Sequence, residues 1–173
     1  MNDKLYVVLD TSALLAKYYM HLDPLKTVIY TVKRAVDEVK DSENREALEV
    51  GLSIGRVRVI DPRKSFVERV LKTSWEIGER ATLSVTDIEV AALALEFKER
   101  GFRVLVITDD YALQNLLLHL NIAFKPLRTT GIRKSRKYVV VCNVCGYISA
   151  DPNESLCPVC GNPLSRRRAS TSS

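Results

Sequence analysis

Two spacings of apolar residues run through the first 127 positions. Leu5-Tyr6-Val7-Val8-Leu9 is an unbroken apolar, β-favouring run, which predicts a buried strand ending at Asp10. Ser12 offers an N-cap for a helix to about Met20, and His21 to Pro24 break it. Thr27-Val28-Ile29-Tyr30-Thr31 fits a short strand, with Thr31 capping a helix that carries Val36 and Glu38. Residues 42–54 give a further helix capped by Ser42 and ended by the glycines at 51 and 55. Arg56-Val57-Arg58-Val59-Ile60 alternates charged and apolar side chains, the period of a strand with one exposed face, and Pro62 stops it. Residues 63–77 place Phe66, Val67, Val70, Leu71 and Trp75 on one helical side.

The next helix is apolar almost all round. Ser84-x-x-Asp87 has the form of a capping box, and Val85, Ile88, Ala92 and Leu95 follow at helical spacing. Val90 to Leu95 leave no polar face, so this helix is central and buried. Lys98, Arg100 and Gly101 supply a cationic last turn and a terminal glycine. Residues 103–107 form a second core strand, Val104-Leu105-Val106-Ile107 leading to Thr108, Asp109 and Asp110. Asp110 caps a helix to about Leu120, and Ala123-Phe124 start a last short strand. Strands alternating with helices predict an α/β sandwich around a central parallel sheet.

From Arg128 onward the pattern changes. Residues 128–136 read as a basic linker, and 137–165 as a small separate domain opening with Lys137-Tyr138-Val139-Val140-Val141. Cys142-x2-Cys145 and Cys157-x2-Cys160 are near-repeats, each with a glycine after its second cysteine, where a tight turn needs positive φ. That is zinc-ribbon spacing, with one structural Zn2+ on Cys142, Cys145, Cys157 and Cys160; a pair of disulfides is the alternative. Residues 166–173 are expected to be a disordered basic and Ser-rich tail.

Composition narrows the class. At 46% hydrophobic and 27% charged the chain is an ordinary globular sequence, with no run of about 18 apolar residues to span a membrane. Met1 to Lys4 lead directly into a strand, so no signal peptide is read and a cytoplasmic protein with reduced thiols is expected. Residues 1–127 hold 18 Lys and Arg against 19 Asp and Glu, whereas 128–173 hold 8 against 2. The basic side chains cluster as Arg128, Arg133, Lys134, Arg136 and Lys137 before the ribbon and Arg166, Arg167 and Arg168 after it. Such clusters suit a phosphate backbone, and RNA is the expected partner.

The acids supply the candidate chemistry. Ligands of parallel sheets bind beyond the carboxyl ends of the strands. Asp10, Asp109 and Asp110 end two core strands, Asp87 opens the buried helix, and Glu38 lies on a helix crossing nearby. Carboxylates converging there repel one another unless a cation sits between them. Two or three such oxygens can hold Mg2+ or Mn2+ with phosphate and waters completing the shell, which is the equipment of a phosphodiester-cleaving enzyme. Glu38 also reads as a surface acid, Asp87 as a helix cap, and Asp110 as cap and ligand together. No Gly-rich turn follows the first strand, so a nucleotide-cradling P-loop is not supported.

Val8-Leu9-Asp10-Thr11-Ser12, Glu38, Ser84-x-x-Asp87 and Ile107-Thr108-Asp109-Asp110 together resemble the PIN-domain nucleases over roughly 1–127. With the basic strand and four-cysteine ribbon, the chain is similar over almost its whole length to the Nob-type ribosome-assembly endonucleases, in a short form that looks archaeal. The resemblance implies a Mn2+ or Mg2+ site at Asp10, Glu38, Asp87 and Asp109 or Asp110, with Thr108 assisting. It implies cleavage of precursor small-subunit ribosomal RNA at its mature 3′ end, with the pre-ribosomal small subunit and its assembly proteins as partners. A toxin-type PIN ribonuclease or a non-catalytic RNA-binding scaffold are the other readings. A haloacid-dehalogenase-type phosphatase would need a second Asp where Ser12 stands.

Overall fold

The computed structural model describes residues 4–128 and 130–169. Five strands, β1 (Leu5–Leu9), β2 (Thr27–Thr31), β3 (Val57–Val59), β4 (Val104–Ile107) and β5 (Ala123–Lys125), form an all-parallel sheet in the order β3-β2-β1-β4-β5. The chain winds outward from β1 in one direction through β2 and β3, then returns to the other side of β1 for β4 and β5. The switch point of the topology therefore lies between β1 and β4, where a parallel sheet opens a crevice at its carboxyl edge. Leu9 is in register with Ile107, which sets Asp10 beside Thr108 in that crevice.

Helices cover both faces: α1 (Thr11–Leu15), α2 (Lys33–Glu38), α3 (Ser42–Ser53), α4 (Lys64–Glu76), α5 (Val85–Glu99) and α6 (Tyr111–His119). The apolar α5 is the buried one, as its pattern requires, with Val90, Ala91, Ala92, Leu93 and Ala94 fully inaccessible. Tyr6, near the start of β1, stacks on Phe102 at 4.1 Å and on Tyr30 at 5.3 Å, and Phe97 of α5 packs against both Tyr6 and Tyr30. Among the described residues no helix is long and apolar enough to cross a membrane.

Three cap assignments are corrected. Asp10, not Ser12, caps α1, because the helix begins immediately after the strand; it ends at Leu15, and a separate 3-10 turn holds Tyr18–Met20. Asp41 rather than Ser42 caps α3, accepting from Asn44 N–H at 2.9 Å. Thr31 does not cap α2; its hydroxyl donates to the Leu9 carbonyl at 2.8 Å and ties β2 to β1.

The carboxy-terminal unit is an antiparallel sheet in the order β7-β6-β8, with β6 (Tyr138–Cys142), β7 (Ile148–Ser149) and β8 (Leu164–Arg168). The expected disordered tail is corrected in part: Arg166, Arg167 and Arg168 pair with Val140, Val139 and Tyr138. Ser170 to Ser173 lie outside the described residues.

The segment expected as a basic linker has partners of its own. Residues 130–136 form a strap fastened to α6. Gln114 Oε1 accepts from Ile132 N–H at 3.0 Å, and Asn115 Oδ1 accepts from Arg136 N–H at 2.6 Å. Asn115 Nδ2 and His119 Nε2 both reach the Arg136 carbonyl. The ribbon itself docks on the turn after α4. Tyr138 N–H donates to the Ile77 carbonyl, and Arg166 donates to the Gly78 carbonyl at 3.1 Å. Gly78 has φ +70°, and a Cβ there would run into the Tyr138 carbonyl. Gly78→Ala is therefore expected to destabilise this docking by about 1–3 kcal/mol, seen as faster amide exchange at Tyr138 with the core of the first domain unchanged. Unaltered exchange at Tyr138 would show that the close approach is not required.

Candidate active site and cysteine cluster

Each acid is brought to the crevice by a different element. Asp10, only 6% exposed, stands at the end of β1. Its Oδ1 accepts from Thr11 N–H at 2.6 Å, and its Oδ2 accepts from the hydroxyls of Thr108 at 2.8 Å and Ser12 at 3.3 Å. Thr108 Oγ1 also accepts from Asp110 N–H at 3.0 Å, so one buried hydroxyl couples the two strand-end acids. Asp87 caps α5 reciprocally with Ser84: Ser84 N–H donates to Asp87 Oδ2 at 2.7 Å, and Asp87 N–H donates to Ser84 Oγ at 3.1 Å. Asp110 caps α6 through Oδ1, which accepts from Leu113 N–H at 2.7 Å. Glu38 is exposed, yet both its oxygens are held: Thr11 donates to Oε2 at 2.6 Å and Thr86 to Oε1 at 2.5 Å.

The electrostatics tie four of these groups together. Burial pushes the Asp10 carboxyl up to about 6, and the neighbouring Asp87 charge adds to it against the lowering hydrogen bond from Thr108. Burial also raises Asp87, with Asp110 and Glu38 contributing in the same direction. Among the described residues none of Asp10, Glu38, Asp87 or Asp110 forms an ion pair with Lys, Arg or His. A buried carboxylate normally has such a partner. The cluster therefore suits a divalent cation, and its donors are all hard oxygens of the kind Mg2+ and Mn2+ take. The carboxylates are more widely spread than the thiols. Among the described residues only the cysteines offer three or more ligand atoms all within 4.8 Å of one another.

Asp109 is set apart from this group. Its Oδ1 accepts from the N–H groups of Leu127 at 2.7 Å and Arg128 at 2.9 Å, which anchors the exit from β5. Asp110 acts electrostatically on Asp87. Thr11 and Thr86, which orient Glu38, were not among the expected site residues. Thr86 had a readable signal: it lies inside Ser84-x-x-Asp87, one residue before the acid, at a buried position of an apolar helix.

The four thiols form a second centre. Both knuckles close identically, with Gly146 N–H on the Cys142 carbonyl and Gly161 N–H on the Cys157 carbonyl. The glycines have φ +78° and +72°, as their place after each second cysteine requires. All four cysteines are free, with Cys142 to Cys160 sulfurs 3.4 Å apart and Cys145 to Cys157 sulfurs 3.5 Å apart. That is far longer than the roughly 2.05 Å of a disulfide. It is close to the edge of about 3.8 Å of a tetrahedron with sulfur about 2.3 Å from a metal. The Asn162 side-chain amide, 3.4 Å from Cys160 Sγ, and its backbone N–H pull that thiol down to about 6, toward the thiolate a metal binds.

Arg166, expected on RNA, is used inside the protein. Its guanidinium meets the buried Glu79 carboxylate at 2.5 Å and lies 3.8 Å above the Tyr138 ring. Glu79 also accepts from Asn115 at 2.8 Å and Thr82 at 2.6 Å. By contrast the side chains of Arg133, Arg136, Arg167 and Arg168 carry no ion pair among the described residues.

A parallel sheet with carboxylates from β1, α2, α5 and the β4–α6 turn around its switch point is the arrangement of a PIN-type nuclease, and residues 7–97 match the family described as the PIN domain of ribonuclease. The chain is 38% identical over 162 residues to Endoribonuclease Nob1 of Pyrococcus abyssi, a match covering 93% of this chain and 92% of that one. It is 38% identical over 125 residues to Ribonuclease VapC3 of Aeropyrum pernix, covering 72% and 88%. It is 26% identical over 92 residues to the 20S-pre-rRNA D-site endonuclease NOB1 of Saccharomyces cerevisiae, covering 53% of this chain and 20% of that one. The chain belongs to the Nob1 family of PIN-domain endoribonucleases.

Proposed function

We propose that this protein is a divalent-metal-dependent endoribonuclease that cuts precursor small-subunit ribosomal RNA at its mature 3′ end, in the cytoplasm, on the assembling small subunit. The observation that carries the reading is the acid cluster at the sheet's switch point, where Asp10, Asp87, Asp110 and Glu38 act on one another and, among the described residues, none is ion-paired with Lys, Arg or His. Asp10, Asp87 and Asp110 would hold Mn2+ or Mg2+. A bound ion of this kind activates a water and offsets charge on the phosphate under attack. Thr108 holds Asp10 and the Asp110 turn at fixed spacing. Thr11 and Thr86 turn Glu38 toward the same crevice. Cys142, Cys145, Cys157 and Cys160 would hold one structural Zn2+.

The substrate assignment rests on relatives matched along nearly the whole chain, ribbon included, and on the yeast relative whose name states its pre-rRNA substrate. A toxin-type ribonuclease shares the acids, and the VapC3 similarity keeps it the second reading. A missing acid would be the sign of a non-catalytic scaffold, and the sequence carries Asp10, Glu38, Asp87 and Asp110. The two enzyme readings separate on one experiment. Full-length protein with Mn2+ is incubated with a precursor RNA spanning the small-subunit 3′ end, and the cut is mapped. A single cut at the mature end is expected; scattered cuts, or preference for an unrelated RNA, would favour the second reading.

RNA affinity is expected to fall steeply with salt through Arg133, Lys134, Arg136 and Lys137. Each phosphate contact on a single strand contributes a slope of about −0.7. Replacing all four by Ala in the full-length protein should flatten the slope by up to about 2.8 while leaving the ribbon folded. An unchanged slope would assign these residues to another partner. Truncation at Leu127 is a poorer probe, because it would strip buried Asn115 and Gln114 of their partners in the strap.

A further inference from the structure

A cavity of about 530 Å3 lies where α6, the strap and the docked ribbon meet. Arg133 and Arg136 of the strap, Arg166 and Tyr138 of the ribbon, and Tyr111 and Glu79 of the first domain are among its lining residues. Its charge is lopsided. Glu79 is neutralised by Arg166, which leaves the guanidinium groups of Arg133 and Arg136 without an anionic partner among the described residues. Tyr111 is half exposed, a phenol ring held in the first turn of α6. It is also the residue next to Asp110, so the cavity starts one residue from the acid cluster.

An aromatic face beside unneutralised guanidinium groups is the chemistry that takes a base and its phosphates, since any base has a face to stack while the cations follow the backbone. An acidic peptide would use the cations but leave the ring idle. We propose that this cavity seats one single-stranded ribonucleotide adjoining the scissile phosphate, with Tyr111 stacked on its base and Arg133 and Arg136 on its phosphates. Its role as a substrate subsite rests on the reading of Asp10, Asp87 and Asp110 as the cleavage centre. Tyr138 and Arg166 of the ribbon contribute to its lining, so the docked ribbon completes the cavity. Docking through Gly78 and Glu79 would then serve to complete the substrate groove.

The test uses full-length protein carrying Asp10→Asn, so that RNA is not consumed. Affinity is measured by fluorescence anisotropy for a single-stranded oligoribonucleotide and for a strand of equal length with its bases removed. Tyr111→Ala is expected to weaken the normal strand by roughly five-fold or more and to leave the abasic strand unaffected, with Tyr111→Phe restoring affinity. Arg133→Gln with Arg136→Gln is expected to weaken both strands and lower the salt slope by about 1.4. Equal affinity of Tyr111→Ala and its parent for the normal strand would overturn the proposal, and so would an equal loss on both strands. RNA cutting by the Asp10→Asn protein would instead sink the cleavage reading, while the subsite stood or fell on the abasic comparison alone.

Discussion

Asp10→Asn is expected to lower RNA cleavage by more than about 100-fold while making the metal-free protein more stable at pH 7. The first effect follows from position: even partners one shell out from a metal are worth about 10–100-fold, and Asp10 faces the crevice directly. The second follows from its raised pKa. A carboxyl that titrates near 6 when folded and near 3.8 when unfolded holds its proton more tightly in the native state. Its contribution to stability is thus fully present below about pH 4 and is lost as pH rises through about 6. The full shift corresponds to about 3 kcal/mol, an upper bound on the gain from a neutral amide in its place. Denaturation of the metal-free proteins should therefore show wild type losing stability relative to the Asn variant across that pH window. A wild type that gains on the variant through the window would mean that Asp10 is stabilised as an anion by the fold alone.

Removing the metal from the cysteine cluster is expected to unfold residues 137–169 and leave the parallel sheet intact. The ribbon's buried apolar side chains are few, Val140 among them, beside Cys142 and Cys157. A structural zinc can supply on the order of 10 kcal/mol in such a module. The first domain keeps its own core around α5, but Glu79 loses Arg166 and should become accessible. Cys157→Ser, which cannot replace a thiolate, should act in the same way as chelation. Loss of amide protection at Val139 to Cys142, with Val90 to Leu95 still protected, is the expected exchange pattern. Protection throughout β6 after verified metal loss would show that docking, rather than the metal, holds the ribbon.

The elements that decide the fold were readable because they satisfy one strong pattern each. Val7 to Leu9 are continuous and fully buried, α5 is apolar all round, and Ser84 with Asp87 form the reciprocal cap their spacing calls for. The two glycine-ended knuckles were readable for the same reason. Local competition hid the rest. Asp10 and Asp41 each took the cap that a following serine was expected to supply, because both helices begin earlier than expected, at Thr11 and at Ser42. Long-range partners hid the strap. Gln114 and Asn115 look anomalous on an apolar helix until Ile132 and Arg136 arrive to meet them. Arg166 read as one more tail cation, since its partner Glu79 lies 87 positions away. Asp109 and Asp110 are inseparable in sequence; in the fold the backbone of Leu127 and Arg128 engages Asp109, while Asp110 caps α6.

The claim on which everything else rests is that the acid cluster binds a divalent cation. Crystals grown with Mn2+ and measured for anomalous scattering test it most directly. A Mn2+ peak is expected among the oxygens of Asp10, Asp87 and Asp110, absent from crystals of the Asp10→Asn protein. No peak in that crevice at saturating Mn2+, or one that persists unchanged in Asp10→Asn, would contradict it.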